Sequence, residues 1–115
     1  MFRLKRYERQ QETVYISGPI TGVKDWKQRF DKAYKDLKEL GFMCVHNPRE
    51  IAEGVEIAFT VSRREPEYKD YMKADLKMLL NCDVIYMLKG WEKSRGAVLE
   101  RQIAQALKME IMNEA

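Results

Sequence analysis

Little in this chain of 115 residues would bind a transition metal or staple a fold together. It has one histidine, His46, and two cysteines, Cys44 and Cys82. Metal sites of the usual kind draw on clusters of histidine and cysteine, so no metal is expected and no cofactor is assigned. The cysteines stand in or beside apolar runs and read as buried free thiols of a cytoplasmic protein. No stretch approaches the roughly eighteen consecutive apolar residues of a membrane span, and the basic start lacks the apolar segment of a secretory signal. A dominant charge is also missing. Lys and Arg total 21 against 18 Asp and Glu, and much of the net +3 falls within "MFRLKRYERQ". That is a weak field for a polymeric nucleic acid. A cytoplasmic protein with neither a membrane nor a nucleic-acid partner is expected.

What is present is a well-patterned apolar fraction of 45%, enough for one domain and too short for two. Residues 1–12 read as a charged lead-in and 13–115 as a single domain. "TVYIS" (13–17) is β-branched and aromatic, a strand, and "GPITG" ends it. Trp26, Phe30, Ala33, Tyr34, Leu37 and Leu40 then recur at helical spacing, with Gly41 as a left-handed stop. "FMCVH" (42–46) is a second short strand closed by Asn47-Pro48. Residues 49–66 show no sustained period and read as one helical turn plus a loop. A helix returns over 68–80, followed by the apolar strand "DVIYML" (83–88). A last helix spans 95–108 on Leu99, Ile103, Ala106 and Leu107, and "MEIM" (109–112) reads as an edge strand. Alternation of this kind predicts an α/β fold with a mostly parallel sheet of four to five strands and helices on both faces.

Such sheets bind ligands beyond the carboxyl ends of their strands. Here those ends are "SGPITG", "NP" and "KGWEKSRG". In the first loop, Gly18 and Gly22 permit close approach of a ligand to the backbone, and Ser17 and Thr21 add hydroxyls. It is neither a dinucleotide fingerprint nor a P-loop, and an ordinary strand-to-helix turn accounts for the same residues. Ser94 can cap the last helix and, with Gly96 beside it, leave an open anion-binding end. A plain N-cap fits equally.

Two acids stand out. Glu100 lies six residues beyond Ser94, toward the buried side of the last helix, and is a candidate nucleophile. A solvated glutamate paired with Arg101 or Lys93 is the ordinary alternative. Asp75 interrupts the apolar face of Met72, Leu76 and Leu79 and is a candidate general acid or sugar anchor. Tyr15, two residues before the glycine loop, can steady a nucleophile or simply fill the core. Trp91 can stack on a base or cover a helix end.

Taken in order, "YISGPITG" (15–22), "NP" (47–48), "YMKADLKMLLNCDVIYML" (71–88) and "GWEKSRGAVLE" (90–100) resemble the nucleoside 2-deoxyribosyltransferase superfamily. Within it the chain looks most like a small bacterial and phage branch related to 2′-deoxynucleoside 5′-phosphate N-hydrolases, with the likeness covering roughly residues 13–112. The resemblance implies a flavodoxin-like (Rossmann-like) three-layer sandwich, a homo-oligomer (dimer or tetramer), and cleavage of the N-glycosidic bond of deoxynucleosides or their 5′-monophosphates by hydrolysis or base exchange. It implies Glu100 as the nucleophile that forms a covalent deoxyribosyl ester, Asp75 as the group assisting base departure, Tyr15 as the support of the nucleophile and Ser94 as the phosphate holder. Ser17, Gly18, Pro19, Ile20, Thr21, Gly22, Asn47, Trp91 and Gly96 complete the expected substrate-binding set. Relatives that prefer phosphate often carry an arginine in the first loop. "PITG" has none, which leaves Arg95 to supply that charge. A non-catalytic nucleotide sensor using the same cleft is the competing expectation.

Overall fold

The computed structural model describes residues 11–115; residues 1–10, most of the expected lead-in, lie outside the described residues. Four strands form one sheet: β1 (Thr13–Ser17), β2 (Cys44–His46), β3 (Val84–Met87) and β4 (Glu110–Asn113). Their order is β2-β1-β3-β4 and every neighbouring pair is parallel. Between them run α1 (Trp26–Glu39), α2 (Pro48–Ala58), α3 (Tyr68–Leu79) and α4 (Arg95–Ala106). This is an α/β fold of flavodoxin-like, three-layer type. The chain leaves β1 in one direction to reach β2 and returns past β1 to lay down β3. The connections therefore part at the carboxyl ends of β1 and β3, and a crevice opens there.

The pleat of β1 divides the core in two. Val14 and Ile16 face α1 and pack with Phe30, Ala33, Leu37, Val84 and Leu88. Tyr15, between them, faces the opposite way and packs with Ile85, Met87, Leu79, Ala97 and Ala104. Successive residues of a strand point to opposite faces, and both faces of β1 and β3 are covered. That is why these strands read as unbroken apolar runs rather than alternating ones.

Four expectations need correcting. The stretch read as turn and loop contains the three-turn helix α2. Asn47-Pro48, taken only as the end of a strand, starts it: Asn47 Oδ1 accepts the Arg49 amide at 3.0 Å and Pro48 occupies the first helical position, where its missing N–H costs nothing. The face of the last helix is also shifted. Its buried residues are Ala97, Glu100 and Ala104, while Leu99 and Leu107 are exposed, as is Ala106. The small residues let α4 lie close against the sheet, and the carboxylate is carried in with them. Leu40, expected on the buried face of α1, is exposed, because the helix ends at Glu39 and Gly41 turns the chain with φ 110°. Finally, of the two free cysteines only Cys82 is buried; Cys44 lies exposed on β2, at the edge of the sheet. Among the described residues no helix is long and apolar enough to cross a membrane.

Candidate functional site

Alternation along β1 sends Tyr15 and Ser17 to the face covered by α4. There they meet Glu100. The Tyr15 phenol donates to Oε2 at 2.7 Å and the Ser17 hydroxyl donates to Oε1 at 2.6 Å. Each carboxylate oxygen thus receives one short hydrogen bond from the same strand. Glu100 is only 5% exposed, and Tyr15 and Ser17 not at all. A glutamate so deep that neither of its hydrogen-bond donors is a cation is costly to ionise. Burial pushes its carboxyl up to about 7, while the two hydroxyls pull in the opposite direction. The Tyr15 phenol is raised well above its ordinary value, first by burial and then by the Glu100 charge. It remains a donor at any physiological pH.

Glu100 and Tyr15 line a cavity of about 900 Å³ at the carboxyl ends of β1 and β3, a size that suits a small-molecule ligand. Asp75 on α3 lines it as well. Its carboxyl is pushed up to about 8, chiefly by burial and further by the charge of Glu100. The two acids titrate as an interacting pair. Near neutral pH the favoured singly charged form has the proton on Asp75 and the charge on Glu100, since only Glu100 is braced by two hydroxyl donors. One acid that holds its proton and one that releases it form the division of labour found in acid and nucleophile pairs.

The rest of the wall comes from five directions. The first loop contributes Gly18, Pro19, Ile20 and Thr21; α1 contributes Trp26, Arg29 and Phe30; α2 contributes Pro48, Ala52 and Glu56; and α3 contributes Tyr68, Tyr71 and Met72. At the start of α4, Lys93, Ser94, Arg95 and Gly96 close the circuit. Ser94 caps the helix, with Oγ accepting the Ala97 amide at 3.2 Å. The amides of Arg95 and Gly96, in the first turn, have no intrahelical acceptor, so this rim combines amide donors with cationic side chains. Arg29 reaches the same rim from α1: its Nη2 donates to the Lys89 carbonyl at 2.7 Å and stands 3.7 Å from the Glu114 carboxylate. Among the described residues no group of three or more His, Cys, Asp or Glu is arranged to hold a metal.

Most of the residues expected from the sequence meet here, but several do so for a different reason. Ser17, expected to touch a ligand, holds Glu100. Gly18 borders the cavity, yet what it accommodates is the neighbouring strand: a Cβ at this position would lie 2.7 Å from Leu88 Cβ. Gly22 is a turn residue with φ 78° and open space around it, and it is not part of the lining. Gly96 allows α3 and α4 to approach, since a Cβ there would stand 3.3 Å from the Tyr68 hydroxyl and 3.5 Å from Met72 Sδ. Asn47 does not line the cavity. It is buried and is committed to capping α2 and to donating to Asp31 Oδ1 at 3.1 Å. Trp91 also stays out of the lining; it covers the start of α4, with the Arg101 guanidinium 4.7 Å over its ring.

Sequence reasoning missed Arg29, Glu56 and the two tyrosines of α3 as lining groups. A signal existed for Glu56. Once Asn47-Pro48 is read as a helix start, Pro48, Ala52 and Glu56 fall four residues apart on one face. Arg29 stands between Trp26 and Phe30, on the flank of an apolar stripe, where a cation reads as ordinary surface. A family model described as "Domain of unknown function (DUF4406)" matches residues 12–113, and the chain belongs to that family. No curated protein matches it.

Proposed function

We propose that this DUF4406 chain cleaves the N-glycosidic bond of 2′-deoxynucleoside 5′-monophosphates through a covalent glutamyl intermediate. The observation that carries the reading is the buried Glu100 carboxylate, fixed by Tyr15 and Ser17 on the wall of a cavity that it shares with a second, proton-retaining acid. Fixed hydroxyls cost no reorganisation when charge develops, so the carboxylate arrives pre-aimed.

In the first half-reaction Glu100 attacks C1′ as the bond to the base nitrogen breaks. The bonding pair leaves with the base, and Asp75 supplies the proton that the departing base takes up. The carboxylate opposes the positive charge that builds on the sugar. In the second half-reaction the ionised Asp75 takes a proton from water. The water oxygen bonds to C1′, and the ester to Glu100 opens with its electron pair returning to the carboxylate. The products are free base and 2-deoxyribose 5-phosphate. A second base in place of water gives base exchange. Arg29, Lys93, Arg95 and the α4 amides suit a dianionic phosphate, and gripping it converts binding into orientation at C1′. Arg95, joined by Arg29 from α1, fills the part of the arginine missing from "PITG". Exposed Leu99 and Leu107 are apolar surface that a second copy would cover in the homo-oligomer that belongs to this reading, at home in the cytoplasm.

The test is a release assay. Wild-type protein is incubated with each deoxynucleoside and deoxynucleoside 5′-monophosphate and free base is measured. The expected outcome is release from monophosphates, reduced at least about a thousandfold in Glu100→Gln, as for removal of a covalent nucleophile, with nucleotide binding retained. Binding by the wild type without any release would instead make the cleft a nucleotide sensor.

A further inference from the structure

The charged groups of the cavity are not mixed. Lys93 and Arg95 stand at the start of α4, and Arg29, bonded to the Lys89 carbonyl, is the third cation of the lining. Asp75 and Glu100 belong to the reacting centre. One charged lining group remains, Glu56, carried by α2 on the wall that packs against α3. Its hydrogen-bond partner is a neutral phenol: Tyr71 Oη donates to Oε2 at 3.1 Å. That bond joins the last turns of α2 to the first turn of α3. Asp75 stands one turn beyond Tyr71 on the same face of α3, about 6 Å further along the axis. The carboxylate is exposed and lines the same cavity as Asp75, on a different helix from Arg29, Lys93 and Arg95.

A nucleotide has the same order of parts, with phosphate at one end, C1′ in the middle and base at the other end. With its phosphate against Arg29, Lys93 and Arg95, and C1′ at Glu100, its base extends toward α2 and the outer half of α3. Resting on the glycosidase reading above, we infer that Glu56 reads the base, and that the preferred substrates carry a base with an exocyclic amino group.

The chemistry of the two partners selects for this. An ionised carboxylate only accepts hydrogen bonds. Tyr71 occupies one lone pair of Oε2 and turns the group without neutralising it, so Oε1 stays free to accept an N–H. The amino groups of cytosine, adenine and guanine donate such a bond. Thymine and uracil have no such amino group: their N3–H is a single donor flanked by two carbonyl oxygens, which a carboxylate repels. Asp75 and Glu100 have other work, and the cationic rim would attract carbonyl edges rather than reject them. Glu56 is thus the group on this wall that distinguishes the two classes of base.

The experiment uses the five probes dCMP, dAMP, dGMP, dTMP and dUMP, with two readouts. Base release is measured with wild type and Glu56→Gln. Binding is measured with Glu100→Gln and with the Glu56→Gln/Glu100→Gln double variant, whose folding is checked by circular dichroism. The expected result is a preference for the amino-bearing three of about tenfold, the worth of a charge-assisted hydrogen bond in a partly open site, in both readouts. In Glu56→Gln that preference should collapse, since an amide donates to a carbonyl as readily as it accepts from an amine. Tyr71→Phe should retain the preference, because the charge on Glu56 remains. Equal use of all five probes by the wild type, or a preference unchanged in Glu56→Gln, overturns the assignment of Glu56 while leaving glycosidase activity standing. Selective binding without base release supports Glu56 and overturns the glycosidase. Neither binding nor release overturns both.

Discussion

The two faces of the sheet are built from alternate residues of the same strands, and they do different work. On the α1 face, Val14, Ile16, Val84 and Leu88 meet Phe30, Ala33 and Leu37, an apolar contact whose consequence is stability. On the α4 face, Tyr15 and Ser17 take the corresponding positions, and the helix answers with Ala97, Glu100 and Ala104. A core carboxylate is held there by two hydroxyls. One face optimises burial and the other gives some of it up for a carboxyl group beside a cavity.

The sharpest way to break this comparison is one substitution on each face. Leu37→Ala should cost about 2–5 kcal/mol, as for other buried leucines, equally at pH 5 and pH 8, and leave the cleft chemistry of the folded fraction intact. Glu100→Gln should act in the reverse manner. The Glu100 carboxyl, ordinarily near 4.5, is raised to about 7 in the folded protein. The folded state therefore binds more protons than the unfolded one between those values. The stability tied to this proton is full below about pH 4 and is lost as pH rises through 7. The shift corresponds to roughly 3 kcal/mol. Relative to wild type, Glu100→Gln should gain stability by up to that amount between pH 5 and pH 8, in urea titrations at the two pH values. A pH-independent difference would mean that Glu100 is not held in a dry site.

A smaller effect sharpens the role of the hydroxyls. Tyr15→Phe removes a hydrogen bond that lowers the Glu100 pKa, so the acidic limb of the pH-rate profile should move to higher pH. The rate on the plateau should fall about tenfold to a hundredfold, the worth of a hydrogen bond to a charged group. An unmoved acidic limb would reduce Tyr15 to core filler. Smaller again is Ser94→Ala. It should cost about 1 kcal/mol of stability through the lost cap and raise KM for monophosphates about tenfold, with little change for nucleosides. Equal losses on both would remove Ser94 from the phosphate rim.

The same comparison accounts for how much the sequence revealed. Strands β1 and β3 and the existence of α1, α3 and α4 were legible because period and apolar content are local properties. So was the identity of the acids, since a carboxylate inside an apolar stripe is visible at 75 and at 100. The helix α2 was not, because Asn47-Pro48 serves equally as the end of a strand and the start of a helix, and Ile51, Ala52 and Val55 show as a stripe only once that start is recognised. The exposed Leu99 and Leu107 misled in the other direction: of the apolar residues expected to face the core, Ile103 packs against it, while α4 approaches the sheet through Ala97 and Ala104. The bond from Ser17 to Glu100 spans 83 positions. Only the parallel register of β1 against β3 and the packing of α4 across them bring its ends together. Arg29, Glu56 and Tyr71 became part of the cavity through the meeting of three helices, which no window along the chain contains.

The most direct measurement concerns the bond to Glu100 itself. A deoxynucleoside 5′-monophosphate carrying fluorine at C2′ should react slowly in both half-reactions, because the fluorine withdraws electron density and destabilises the sugar cation, and the ester should accumulate. After acid quench and digestion, mass spectrometry should find one fluorodeoxyribosyl phosphate on the peptide containing Glu100, in proportion to a burst of free base. Release of base with that peptide unmodified, or no reaction by a protein that binds the compound, would contradict attack by Glu100.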